Sequence, residues 1–486
     1  MSDSRRNFIK KSALLTVGTA VSVKSIAQIL DSDVPFLQGK KHAEILYDYV
    51  IENGEVYHEQ QLQSLFIGIT SAGKLKISDT ALKGKQSIDA KGKIVSPGFI
   101  DILADNSSHP EATYNVFESY KVTDGVTTAL QLHGGHHKAA TYYRAFSKVD
   151  HYVNYGVSTK VMNIRRINKS IQARLKTIEK NLAYGALAIS HSIEYQPTPY
   201  SELLEYGKLA YTYQRPLFLH LRYSSAKREL RGVLEAIKIA RDTGAAVHID
   251  HLNSTGGTFQ MEKALNLIRL ARAEGLKITT CVYPYSYWAT YLHSKRFGDG
   301  WMERYQLDYS DLTVVGTGEK LTEARFNELR QRAGVLVAVP EGTMPLSKTV
   351  DLAVKEDFCL IGSDGGIERA SKANNHPRGA GCFATAVRHL QDIGMPLEQV
   401  LYKLTELPTK LLRPALMKRG KLQDGYWADI VIFDKDKING AATMANPNQF
   451  SNGISHVFVN GEIACQDKKL KYKQGRPIQI QAAKVM

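Results

Sequence analysis

Two short apolar runs, Phe218-Leu-His-Leu-Arg222 and Val247-His-Ile-Asp-His-Leu252, each carry a histidine near their end, His220 and His251. Between them Leu230, Val233, Leu234 and Ile237 recur at i, i+3, i+4, i+7, the period of a helix with one apolar face. Strand, helix, strand at this spacing predicts a βαβ unit with parallel strands. It sets His220 and His251 at the C-terminal ends of neighbouring strands, the edge at which α/β barrels keep their chemistry. Two imidazoles side by side at such an edge suggest a metal site, since neutral imidazole is the commonest protein metal ligand.

A longer alternation of strands and helices must position this pair. Eight strand candidates run from Val95–Leu103 through Val126–Leu132, Thr159–Ile164, Ala186–Ser190, Leu217–His220, Ala246–His251 and Lys277–Val282 to Cys359–Asp364. Helical periods lie between several of them; Met261, Ala264, Leu265, Ile268 and Ala271 form one clear face. Eight strands over residues 96–412 suit a (β/α)8 TIM-like barrel, with an aromatic-rich insertion at about 284–335 placed over the strand ends. A doubly wound sheet is the competing fold, but no Gly-rich phosphate loop follows a strand. Residues 43–95 and 413–480 read as short strands punctuated by turn residues such as Asn53-Gly54 and Asn460-Gly461. Neither end has enough apolar residues for a core of its own, so the two are expected to pair into one small β-sandwich.

The 486 residues carry a formal charge of +15, but lysine and arginine are scattered without a long basic run, and no zinc-finger or RNA-binding signature appears. Nucleic acid is therefore not an expected partner, and the charge reads as solvated surface that favours anionic substrates. Cys281, Cys359, Cys382 and Cys465 lie far apart with no CxxC pair, which predicts buried free thiols. Residues 1–27 join Ser4-Arg-Arg-Asn-Phe-Ile-Lys10 to the mild apolar run Ala13–Val21 and the small residues Ser25-Ile-Ala27. That pattern is similar to a twin-arginine signal peptide and implies the twin-arginine export machinery as a partner and the periplasm as destination. Beyond it, no apolar stretch is long enough to span a membrane.

Pieces spread over the whole chain carry a family resemblance. They are Asp89–Asp101 (ending Ser-Pro-Gly-Phe-Ile-Asp), Asp124-Gly-Val-Thr-Thr128, Glu194-Tyr-Gln-Pro197, His220-Leu-Arg222, Tyr283-Pro-Tyr285, Ile361-Gly-Ser-Asp-Gly365, His376-Pro-Arg378, Gly420–Asp434 and Val459-Asn-Gly461. In this order and spacing the chain resembles the N-acyl-D-amino-acid deacylases (D-aminoacylases) of the amidohydrolase superfamily. The resemblance implies the barrel, the two-ended sandwich and metal-dependent hydrolysis of an amide. It makes His220 and His251 metal ligands, and Asp364 a general base that can also touch the metal. It also implies a small-molecule amide substrate bearing a carboxylate, for which Arg378, then Arg222, Tyr195 and Tyr283 are the candidate partners.

In two places the chain departs from the family pattern. Leu103 and Asp105 stand where the family has an HxH pair, and Gln131-Leu-His-Gly-Gly135 stands where it has a bridging cysteine. One zinc ion rather than two is expected, with three protein ligands and one open position. His133 is the first choice for the third ligand, because it ends an apolar strand beside the position of the lost cysteine. His191 is the second and Asp105 the third; His136 and His137 are expected in a loop, and His248 off the site. Cleavage of a cyclic amide or a dipeptide, and a catalytically inactive ligand-binding barrel, are the alternatives to an N-acyl-D-amino-acid deacylase.

Overall fold

A computed structural model describes residues 46–104, 110–366 and 376–480. The leader at 1–27 and Asp105 lie outside the described residues. Eight parallel strands stand side by side in chain order: β1 (Phe99–Asp101), β2 (Val126–His136), β3 (Asn154–Lys160), β4 (Ile189–Ser192), β5 (Leu217–His220), β6 (Val247–Ile249), β7 (Ile278–Val282) and β8 (Cys359–Ile361). Helices follow them in the (β/α)8 manner and bury one face each against the sheet. The helix Glu229–Thr243 shows why: it ends at Gly244 in the left-handed region (φ +71°), and Val233, Ala236, Ile237 and Ala240 are buried along one stripe. Leu234 belongs to the apolar period but is 48% exposed, so the buried stripe is centred to one side of it.

The first strand candidate, Val95–Leu103, is two strands serving two sheets. Ile94–Pro97 pairs with Ile430–Phe433 in a seven-stranded sheet that also holds Glu55–His58, Gln61–Ser64, Ile454–Val459 and Glu462–Gln466. Phe99–Asp101 belongs to the barrel. Gly98 makes the break possible, because a Cβ there would meet the Thr127 side chain at 2.1 Å. A four-stranded sheet built from Tyr47–Glu52, Phe66–Ile69, Leu75–Ser78 and Gly84–Asp89 completes the sandwich. Its Tyr49, Ile51, Ile67 and Ile69 share one apolar cluster with Val56, Val95, Ile430, Ile432 and Phe458 of the seven-stranded sheet. Both chain ends therefore build one core, as their texture implied.

Two barrel strands are displaced from their expected places. The third runs over Asn154–Lys160 rather than Thr159–Ile164, and Val161–Ile167 is a helix. A short apolar run does not by itself distinguish strand from buried helix. The fourth runs over Ile189–Ser192, so His191 lies inside the strand rather than at its end. Between β7 and β8 the chain forms a small antiparallel sheet of Ala289–Tyr291, Leu336–Ala338 and Thr313–Val314. Trp301 stacks on Phe326 in this inserted segment, with ring centroids 5.4 Å apart, and the sheet reaches beyond residue 335.

Among the described residues no backbone ladder joins β8 to β1, and side chains close that seam. The Lys121 ammonium, on the helix Pro110–Thr123, donates to Asp101 Oδ2 (2.8 Å) and Ser363 Oγ (2.9 Å). Ser363 N and Oγ donate to the two oxygens of the same carboxylate. Lys121, Asp101 and Ser363 are all fully buried. Removing one partner of such a pair strands a charge in a low-dielectric interior. Lys121→Met should therefore lower the unfolding free energy by about 3–5 kcal/mol, read from urea denaturation, whereas a loss below about 1 kcal/mol would show that the seam does not hold the barrel.

Candidate metal centre

His133, His220 and His251 meet at the C-terminal mouth of the barrel, and a different local device delivers each. β2 and β3 run in register from Asn154↔Thr128 to Val157↔Gln131, and then Thr159 faces His136. The extra residues of β2 bulge over Ser158, with Gly135 in the left-handed region at φ +72°, where a Cβ would meet Ser158 Oγ at 2.3 Å. The bulge carries His133 into the mouth. His220 is the last residue of β5. His251 follows the end of β6 at φ +27°, and Asp364 follows β8 at φ +46°; both are sparsely populated for non-glycine residues, and such strain concentrates at functional sites.

The imidazole rings stand 4.9–5.7 Å apart, centroid to centroid. Ligand atoms of His133, His251 and Asp364 all lie within 4.8 Å of one another. His220 flanks this trio, with its Nε2 3.9 Å from Glu194. In each ring Nδ1 is occupied. His133 Nδ1–H donates to Asp250 Oδ2 (2.6 Å), and His220 Nδ1–H to the Leu221 carbonyl (3.1 Å). His251 Nδ1 meets Ser254 Oγ at 2.9 Å, while the hydroxyl proton can go to the His251 carbonyl at 3.2 Å. These partners leave Nε2 of each ring as the lone-pair nitrogen, the tautomer that metal-ligating histidines hold through an outer hydrogen bond. Burial pushes the His220 and His251 imidazoles well below their usual range, which keeps them neutral and able to ligate. At His133 burial pulls the same way, but the Asp250 charge and hydrogen bond outweigh it and raise the value. Nitrogen and carboxylate donors in this arrangement fit a divalent metal of the zinc type.

Asp364 sits across from the rings. Its Oδ2 is 3.7 Å from His251 Nε2 and its Oδ1 4.0 Å from His133 Nε2. Arg378 Nη2 is ion-paired with Asp364 Oδ2 at 2.8 Å, and its guanidinium lies over the Tyr283 ring, 4.6 Å from the centroid. Together with Tyr195, whose ring is 4.9 Å from that of His220, these residues line a cavity of about 410 Å³.

Two expected site residues are elsewhere. His191 faces outward from β4: its Nε2 bonds Thr198 Oγ1 at 2.7 Å, its ring packs edge-on to Tyr206, and burial lowers it to about 3. The pleat explains this, because Ser190, next to it in the strand, turns inward to Ser158. Arg222 is not a carboxylate partner at this cavity, since it is bound to Glu235 through Nε (2.9 Å) and Nη2 (2.8 Å) and to the Thr198 carbonyl (2.7 Å). His248 is off the site, bonded to Thr279. All four cysteines are free and buried, as expected.

Asp250, Glu194 and Arg296 belong to the site but were not singled out by residue type. Asp250 reaches His133 because β6 ends at Ile249 and the turn breaks the alternation. Arg296 arrives from the inserted segment and binds Glu194 Oε2 at 3.2 Å and the Ser254 carbonyl at 3.0 Å. No local pattern marks an arginine contributed from so far along the chain.

The model of the amidohydrolase family matches residues 94–464, and the chain belongs to that family. It is a hydrolase of amide C–N bonds. Its relatives include the N-acyl-D-glutamate deacylase of Alcaligenes xylosoxydans xylosoxydans, 24% identical over 86% of this chain and 93% of that protein. The D-aminoacylase of the same organism is 25% identical over 81% of this chain and 88% of its own length. Among solved structures, the Bordetella bronchiseptica N-acyl-D-glutamate deacylase, complexed with zinc and a phosphonate inhibitor, superposes with a TM-score of 0.76. It is 23% identical, and the match covers 90% of this chain and all of that one.

Asp250 orients His133, so Asp250→Asn should weaken metal binding about 10–100-fold, measured by competition with a chromophoric chelator. An unchanged affinity would remove His133 from the ligand set.

Proposed function

We propose that the protein hydrolyses N-acyl-D-amino acids, or similar D-residue amides, at a single zinc ion held by His133, His251 and Asp364 with His220 beside them. The observation that carries the proposal is the convergence of the His133 and His251 Nε2 lone pairs on the Asp364 carboxylate with the His220 ring beside them, each ring tied at Nδ1. A metal ion bound there supplies Lewis-acid polarisation of the amide carbonyl and a lowered pKa for water.

The chain's own residues do the rest. Asp364, an acceptor when ionised, takes the proton of the attacking water and passes it to the amine, which leaves only when protonated. Arg378 fixes Asp364 through Nη2, and its buried Nε has no hydrogen-bond partner among the described residues, so the guanidinium keeps a donor for the substrate carboxylate. Tyr195 and Tyr283 wall the same cavity and confine the substrate between them. The names of the curated relatives support the N-acyl-D-amino-acid class. Leu103, which stands at a position where the family has a metal-binding histidine, supports one ion rather than two. The leader at residues 1–27 supports export by the twin-arginine route to the periplasm.

Purified protein assayed on N-acetyl D- and L-amino acids should release amine from the D-series only. At saturating zinc, Asp364→Asn should lose about 10²–10⁴-fold in kcat. Selective cleavage of the L-series, or of cyclic amides alone, would overturn the substrate assignment. A D364N variant of near-normal turnover would overturn the role of the carboxylate.

A further inference from the structure

Beside the metal centre, past the Glu194–Arg296 ion pair, lies a second cavity of about 660 Å³. It adjoins the first, with His293, Ser294, Lys295 and Arg296 lining both. Its wall holds Arg222, Arg228, Lys295, Arg296, Arg304 and Arg330 against the carboxylates of Glu194 and Asp299. Two of these cations are already neutralised, Arg222 by Glu235 and Arg296 by Glu194.

The other four have no carboxylate in ion-pair range among the described residues. Arg304 donates to the backbone carbonyls of Arg296, Gly298 and Asp299, and Arg330 to that of Phe297. These bonds hold the two guanidinium groups in place without cancelling their charge. Arg228 lies over the Tyr223 ring at 4.0 Å, and Lys295 is exposed. A concave wall with this surplus of fixed positive charge concentrates anions, because its field is focused by the low-dielectric protein around it.

We infer that this cavity is an anion subsite that receives a second carboxylate of the substrate, distal to the amide being cleaved. The inference rests on the proposed amide hydrolysis and narrows it to diacid amides. The second acid can come from the side chain of the amino acid or from the acyl arm. Both present the same group to Arg228, Lys295, Arg304 and Arg330, and part of the net charge of +15 acquires a function.

The holoenzyme is to be compared on N-acetyl-D-glutamate (acid on the side chain), N-succinyl-D-alanine (acid on the acyl arm) and N-acetyl-D-glutamine (neutral isostere). At low salt at least one diacid should show a KM about ten-fold below that of the neutral isostere, and added salt should narrow the gap. The diacid favoured identifies the arm. In the double variant Arg228→Gln/Lys295→Gln the ratio of the neutral-isostere KM to the diacid KM should fall to about one, a ratio taken within each protein because Lys295 also lines the first cavity. Equal KM for all three substrates in the wild type overturns the subsite and leaves the hydrolysis standing. If no amide is cleaved, the hydrolytic reading fails, and calorimetric titration with glutarate still decides the subsite. Binding at least about ten-fold weaker in the double variant supports it, and equal or absent binding in both proteins overturns it.

Discussion

One buried carboxylate decides whether the barrel has a mouth at all. Asp101 accepts from Lys121, from the backbone and hydroxyl of Ser363 and from the Leu103 amide, and so binds the first strand to the last where no ladder does. Ser363 Oγ also accepts from the Gly365 amide, so the backbone amides of the residues before and after Asp364 are both fixed by the same cluster. The left-handed backbone at Asp364 is thereby held, and with it the direction of the only carboxylate among the described residues grouped with His133 and His251. A closed barrel and a placed base are consequences of one ionic contact.

A second layer works on the imidazoles. Asp250, the Leu221 carbonyl and Ser254 each occupy a ring nitrogen. Their effect is to choose which nitrogen keeps its lone pair, and burial then keeps His220 and His251 neutral. Ligand position comes from the strands; ligand readiness comes from these partners.

Much of this was legible in the chain. Short apolar runs ending in His220 and His251, a Gly-Gly after His133, and an aspartate after the eighth strand carry their own positional meaning. What escaped did so for physical reasons. The fourth strand runs two residues past Ser190, so His191 is an interior residue that the pleat turns to the face opposite Ser190. Arg222 had the right chemistry but a nearer carboxylate, Glu235, in the next helix. Arg296 and Asp250 are set by long-range packing and by the end of a strand, neither of which leaves a periodic trace.

The break at Gly98 has a temporal side. Ile94–Pro97 pairs on one side with Glu55–His58 and on the other with Ile430–Phe433, while Phe99–Asp101, directly after it, pairs with Val126–His136 on one side and meets Ser363 on the other. During synthesis each half finds its near partner early, but its far side stays open until the late segment that covers it has emerged. Non-local pairings of this kind fold slowly, since loop closure must precede any gain from the contact. Completion of the sandwich and closure of the barrel thus fall at the end of chain assembly. A truncation near the C-terminus would remove not a peripheral strand but the pairing on which the entry into the first barrel strand depends.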